Sequence, residues 1–284
     1  MMDKILTLLD GSAYSESVCH YTAWIARKLN ADVEAMHVLG RSEGAVTGDL
    51  SGALKLGART ALLEELSSLD AQRAKLAQAK GHAILEDAKA ILEKDGILNV
   101  NLRLRKGDLL EAVRDLVDDT RAITIGKRGE GADFATGHLG SNLERIVRSS
   151  KVPVFVASRE FRPVTKVLVA YDGSASSKVA IERMSTSPVF TDLDVSVLCV
   201  AQDSAQAQSI ANDAVEKLTA ANIAATSRTA TGDPEDALNK LVCEEGFDLL
   251  VMGAYGHSRI RRLIIGSTTT AMIQSVKIPV LLYR

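Results

Sequence analysis

The sequence predicts an α/β protein built as two tandem doubly wound parallel sheets of five strands each. Three observations predict it. The chain contains itself twice, which is the first thing to seek in a new sequence. "KILTLLDGSAYS" at Lys4–Ser15 matches "KVLVAYDGSASS" at Lys166–Ser177, an offset of 162 throughout. "KVPVFVAS" from Lys151 matches "KIPVLLYR" from Lys277, each 11 residues after a Gly-Ser, Gly140-Ser141 and Gly266-Ser267. Within each copy, short apolar runs alternate with helical patterns, which implies a parallel sheet covered on both faces. Finally, runs such as "LLVMG" are apolar without alternation, as strands buried on both sides must be.

The second copy shows the element order most clearly. "KVLVAYD" reads as a strand and Ala175–Met184 as a helix. "LDVSVLCVA" is a second strand, and Ala205–Ala221 carries Ile210, Ala214, Leu218 and Ala221 at helical spacing. "ATSRTAT" is a short third strand. In "DPEDALNKLVCEEG", Asp233 is placed as N-cap, Pro234 opens the helix, Asp236 lies in the first turn and Gly246 stops it. "FDLLVMG" is a buried fourth strand, Ser267–Val276 a helix and "IPVLLY" the last strand. Right-handed crossovers make such an order doubly wound. The join falls near Ser158–Thr165, where Pro163 and several charges suit a linker, and divides the chain into residues 1–159 and 160–284.

The copies differ by one insertion. Asp10 to Gly126 spans 116 residues, whereas Asp172 to Gly253 spans 81, so the first copy holds 35 more. The excess starts with a glycine-rich stretch containing Gly44, Gly48, Gly52 and Gly57 and continues as a helical run with Leu62, Leu66, Leu69 and Leu76 on one stripe. It reads as a helical hairpin packed on its own domain, with the leucines as core; the alternative is a lid or partner surface.

Composition narrows the function. The 284 residues are 46% hydrophobic and 25% charged, with a net charge of −2 and 4% aromatics. That is globular composition, and neither a basic surface nor aromatic platforms point to nucleic acid. Cys19, Cys199 and Cys243 are far apart and form no metal-binding spacing, so they read as three small core residues in a reducing compartment. No long apolar region opens the chain and no run suits a membrane span, so a cytoplasmic location is expected.

The chemistry concentrates where strands end. In a doubly wound sheet, ligands sit at the carboxyl ends of strands where strand order reverses. Asp172-Gly173-Ser174 follows the first strand of the second copy, and "GAYGHSRIRRLIIGSTTT", Gly253–Thr270, follows its fourth. Gly253 and Gly256 permit a sharp turn and close backbone approach. Gly266 and Ser267 open a helix whose first turn includes Thr268, a seat for an anion because its N–H groups are free and its dipole is positive there. His257, Arg259, Arg261 and Arg262 add positive charge. Asp172 suits ribose hydroxyls or a phosphate-bound metal ion. The glycines fit neither a phosphate loop of the GK[ST] kind nor G-x-G-x-x-G.

These segments, with "VKIPVLLYR", resemble a universal stress protein domain, and the resemblance covers the whole chain as a tandem pair except for the insertion. It implies an α/β sandwich of the adenine nucleotide alpha hydrolase-like kind, with strand order 3-2-1-4-5. One branch of that family binds ATP through G-2x-G-9x-G-(S/T), which Gly253, Gly256, Gly266 and Ser267 match. Asp172 then lies beside the nucleotide, Val200 matches the position whose backbone meets adenine, and Met252 matches the apolar residue before the first glycine. The family's fifth-strand pairing implies a pseudo-dimer of the two copies within one chain, to which a further homodimer and an unknown protein partner can be added.

The first copy departs from the motif. Gly126, Gly129, Gly140 and Ser141 are present, but ten residues separate Gly129 from Gly140, and Glu130 and Asp133 oppose phosphate. Ser141 with Glu144 reads as a capping box. The favoured reading is a regulatory binding module for ATP, ADP or AMP, with or without Mg²⁺, seated in the second copy. Two others stand beside it: a slow ATPase or phosphotransferase at the same site, and a nucleotide-free interaction protein acting through the insertion. No catalytic set is apparent.

Overall fold

The chain folds as the repeat predicts, and a computed structural model describes residues 4–40, 56–129, 140–254 and 266–284. The first half runs β1 (Lys4–Leu9), α1 (Ser15–Leu29), β2 (Asp32–Leu39), α2 (Leu56–Lys94), β3 (Val100–Lys106), α3 (Leu109–Arg114), β4 (Thr120–Gly126), α4 (Ser141–Ser149) and β5 (Val154–Ala157). The second runs β6 (Lys166–Ala170), α5 (Ala175–Ser185), β7 (Asp194–Val200), α6 (Ser204–Ala220), β8 (Ala225–Ala230), α7 (Pro234–Glu245), β9 (Leu249–Gly253), α8 (Ser267–Ser275) and β10 (Val280–Tyr283). The expected punctuation holds in α7: Asp233 accepts from the N–H groups of Glu235 and Asp236, Pro234 opens the helix, and Gly246 ends it at φ +66°.

Each half has strand order 3-2-1-4-5, but the two sheets do not stay separate. They fuse into one sheet of ten strands, β3-β2-β1-β4-β5-β10-β9-β6-β7-β8. All described neighbours are parallel except the central pair, β5 with β10, where Val280 faces Val156, Leu281 faces Phe155 and Leu282 faces Val154. Both strands are buried at every position. Alternate residues feed two apolar layers, as strand period dictates. Ile5 and Leu9 join the layer under α1, α2, α5 and α6, and Leu6 and Leu8 join the layer over α3, α4, α7 and α8.

The linker is docked, not loose. The Tyr21 hydroxyl on α1 accepts from the Arg162 N–H at 3.2 Å and lies 3.2 Å from the Ser158 hydroxyl. Phe161 packs edge-on against the Tyr21 ring with centroids 4.8 Å apart. Ser17 of α1 donates to the Ser158 carbonyl at 2.5 Å. Two cations cross between halves to helix ends, where carbonyls lack partners and the dipole is negative. Lys127 donates to Val276 O at 2.5 Å, just past α8, and Arg284 donates to Ser150 O at 3.3 Å, just past α4.

Two expectations are corrected. The described part of the insertion, within Leu56–Lys94, belongs to one continuous helix of 39 residues, against 17 in its counterpart α6; the stretch with Gly44, Gly48 and Gly52 lies outside the described residues. Its leucine stripe is not core, since Leu69 is 43% and Leu76 70% exposed, although Leu66 is half-buried; the Leu62 side chain lies outside the described residues. The helix outruns the strands it crosses, so its early turns have no sheet beneath them. And of the three cysteines, Cys19 and Cys199 are buried but Cys243 is exposed on α7.

The central pair generates a first prediction. Phe155 is fully buried and packs near both Tyr21 and Trp24. Phe155→Ala is expected to destabilise the chain by ~3–5 kcal/mol, the range for deleting a core aromatic ring. Equilibrium urea unfolding checks it, and a loss well under 1 kcal/mol would remove the central pair from its structural role.

Candidate functional site

Each half has a strand-order reversal, where the carboxyl ends of a doubly wound sheet open a crevice. In the second half the ends of β7, β6 and β9 lie side by side, with Ala170 beside both Leu198 and Met252. β6 leads to β7 on one side and β9 joins on the other, so the order reverses between β6 and β9. Asp172, Gly173 and Ser174 form the turn out of β6. Gly173 takes φ +72°, and the Ser174 N–H donates to Asp172 Oδ1 at 3.0 Å. The first half repeats this: Gly11 has φ +76° and the Ser12 N–H donates to Asp10 Oδ1 at 3.0 Å. The aspartate therefore shapes its own turn with one oxygen.

The other site residues fall into distinct places. Ser174 is buried and caps α5, accepting from the Ser177 N–H at 3.3 Å, so its hydroxyl serves the helix. Val200 ends β7 at the same sheet edge, half-buried. Met252 is 5% exposed and belongs to the apolar layer with Leu238, Val242 and Met272. Gly266 is the N-cap of α8, where no side chain caps the first turn; its N–H donates to Ala254 O at 3.3 Å. Ser267 is exposed and Thr268 half-buried beside it. Gly256 and Arg259 lie outside the described residues, as do His257, Arg261, Arg262, Glu130 and Asp133.

Gly253 has a packing reason beside the one its motif suggests. A Cβ there would stand 2.9 Å from the Ser176 Cβ and 3.0 Å from its backbone carbon. The glycine lets β9 pass the first turn of α5, and Gly126 does the same in the first half, where a Cβ would meet the Tyr14 Cβ at 2.7 Å. Sequence spacing could not reveal this, because the obstructing helix lies about 80 residues away. A second residue went unnoticed in the hydroxyl run: Thr269 is buried and donates to Gly253 O at 3.2 Å, tying α8 to the end of β9. Its position one helical turn after Gly266 is the signal that could have found it.

The first-half crevice forms a cavity of about 840 Å³, lined among others by Asp10, Tyr14, Val38, Gly129, Gly140 and Ser141. Gly129 touches Asp10: a Cβ at Gly129 would lie 2.9 Å from Asp10 Oδ2, while one at Gly140 would lie 4.0 Å from the Gly129 nitrogen. So Asp10, Gly129 and Gly140 converge. The capping box does not form, because Gly140 is the N-cap of α4 and no side chain caps it; Glu144 N–H bonds the Gly140 carbonyl instead.

The cavity walls carry Arg114, Lys127, Arg128 and Arg145, but two of these cations are engaged elsewhere. Arg145 donates to Asp108 Oδ2 at 2.7 Å, and this bond holds the Asp108 carboxyl below the usual carboxylate range. Lys127 reaches across to Val276. In the second half the aligned positions are Ala271 and Ala254, so neither arrangement recurs. Burial pushes the Lys127 ammonium down to about 7, and the neighbouring Arg128 charge adds to the effect.

Strand-order reversals in two halves fused edge to edge define a tandem doubly wound α/β protein. The chain belongs to the universal stress protein family, whose model matches residues 1–158 and 163–284. It is 39% identical over the full length of both chains to universal stress protein Slr1230 of Synechocystis sp. (strain ATCC 27184 / PCC 6803 / Kazusa). Its fold is similar to the crystal structure of a universal stress protein from Archaeoglobus fulgidus DSM 4304, at TM-score 0.71 and 19% identity, covering 99% of this chain and 96% of that one. A Pseudomonas aeruginosa PAO1 protein of unknown function is similar at TM-score 0.60 and 12% identity, covering 99% and 92%. Among the described residues no helix is long and apolar enough to cross a membrane.

Two predictions follow from this geometry. Gly253→Ala is expected to destabilise the chain by ~1–3 kcal/mol, because backbone of α5 must shift to admit the methyl group; chemical denaturation checks it, and a neutral result would contradict the close approach. For Lys127, the folded chain holds the proton more weakly than the unfolded chain does. Between pH 7 and the ordinary lysine value of 10.5, the unfolded state binds more protons and stability rises with pH. The slope from this group reaches ~1.4 kcal/mol per pH unit and is expected to vanish in Lys127→Met. Unfolding free energies at neutral and mildly alkaline pH give the comparison, and equal slopes in both chains would refute it.

Proposed function

We propose that the chain is a regulatory module of stress response that binds an adenine nucleotide, ATP above ADP or AMP, in the C-terminal crevice. One observation carries this reading: the N-terminus of α8 opens at Gly266 with no side-chain cap, beside the end of β9. An uncapped helix N-terminus offers N–H donors and positive dipole to a phosphate chain. Gly256, Gly266, Ser267 and Thr268 then hold phosphates, with Arg259 supplying charge. Asp172 faces the ribose or a phosphate-bound Mg²⁺, and the Val200 backbone meets adenine. The donor set fits a phosphate chain because it is backbone and hydroxyl, with no acidic side chain in the first turn of α8.

Two contrasts favour the second half over the first. There, α8 begins with Ser267-Thr268-Thr269-Thr270, while α4 carries Glu144 in its first turn. In the first half, Arg145 and Lys127 already answer to Asp108 and Val276. The first-half cavity supports a second reading, an additional ligand of the same class, since about 840 Å³ falls in the range of small-molecule sites. Binding acts by differential affinity: a ligand that prefers one arrangement of the site shifts whatever surface depends on it.

Thermal unfolding with millimolar MgATP tests the proposal. At about 100 times Kd the chain gains ~2.7 kcal/mol, a rise of several degrees for this size. Ser267→Asp, which repels phosphate, is expected to abolish the rise, and Ser141→Asp to leave it. The reverse pattern moves the seat to the first half, and no rise in the unaltered chain removes the nucleotide.

A further inference from the structure

We infer that the projecting half of α2 is a self-association surface, pairing antiparallel with the same segment of a second copy of this chain. Among the described residues, four large apolar side chains are exposed, and three of them, Leu63, Leu69 and Leu76, lie on this helix. Leu69 and Leu76 are seven residues apart and share one face, turned away from the line of Gly81, Leu85, Ala88 and Leu92 that buries the lower helix against the body. A residue spacing of seven is the repeat of a helix seam. The helix of 39 residues is ~58 Å long, whereas the eight residues of β2 that it crosses reach only ~26 Å. The upper turns therefore stand clear of the sheet, with apolar side chains in water.

Charge selects the occupant and its direction. Residues 63–70 carry three acids, Glu64, Glu65 and Asp70, and no base. Residues 71–80 carry three bases, Arg73, Lys75 and Lys80, and no acid. A second copy laid antiparallel sets the acidic stretch against the basic one at both ends. A parallel copy sets like against like throughout, and like charges on neighbouring helices repel. The segment is thus complementary to itself in one orientation only. The fifth strands are not available for it, because β5 and β10 already occupy each other within one chain. A two-fold pair through one patch also closes, so association stops at a dimer.

Sedimentation of the full chain, without added nucleotide, tests this independently of any ligand. The unaltered chain is expected at twice the chain mass, and Leu69→Glu with Leu76→Glu at one chain mass with unchanged far-ultraviolet dichroism. Two further variants make the charge uniform without touching the leucines: Glu64→Lys, Glu65→Lys, Asp70→Lys, and separately Arg73→Glu, Lys75→Glu, Lys80→Glu. Each alone is expected to be a monomer, and an equimolar mixture to recover the dimer. A monomeric unaltered chain at submillimolar concentration overturns the proposal, as does a dimer that survives the leucine substitutions, which would locate the contact elsewhere, such as the open β3 or β8 edge. Uniform-charge variants that dimerise alone overturn the antiparallel arrangement even if the double leucine variant fails to fold.

Discussion

The antiparallel pairing of β5 with β10 is the constraint on which the rest of the molecule depends. Each half alone would end its sheet on a fully apolar strand, with unpaired backbone groups on one side. Pairing the two ends removes both hazards at once and makes one sheet of ten strands. Everything else is arranged around that seam. The linker folds back onto Tyr21, and Lys127 and Arg284 reach from one half to the helix ends of the other. These contacts use different residue types at non-equivalent positions, so the two-fold relation is approximate in chemistry while it is close in topology.

That inequality separates the two crevices. Their strands, turns and leading glycines superpose in role, down to the positive φ of Gly11 and Gly173 and the bond from each aspartate to the serine two residues on. Their electrostatics differ. At the first-half cavity Arg145 is matched by Asp108 and Lys127 is carried to the seam; in the second half the positions aligned with these two are alanine. Tyr14 stands against Gly126 where Ser176 stands against Gly253, so the first-half crevice also has a ring on its wall. Duplication preserved the frame and let the contents diverge.

The fold was legible in the sequence because its signals are local or repeated. Strand runs, the Asp233-Pro234 start and the Gly246 stop each rest on a few neighbouring residues, and the 162-residue offset checks one half against the other. What stayed hidden depends on distant neighbours. The missing side chain of Gly253 makes room for α5, a packing role that its motif does not announce. Nothing near Lys127 in the chain announces its bond to Val276, 149 residues on. The capping box failed because Gly140, not Ser141, holds the N-cap position, a shift of one residue that pattern matching does not resolve. The leucines of α2 misled for another reason: helical spacing reports that a face is apolar, not that anything covers it.

The docked linker carries one more consequence. A duplicated protein whose halves join edge to edge is open to domain exchange, with each half completing its sheet on a neighbouring molecule. Here the eight residues between the halves are held against α1 of the same chain by Tyr21 and Ser17, with Phe161 of the linker packed on the Tyr21 ring. A hinge so short and so occupied cannot straighten without losing those contacts. The tether thus acts as a lock on chain identity: each polypeptide closes its own seam before it meets another copy.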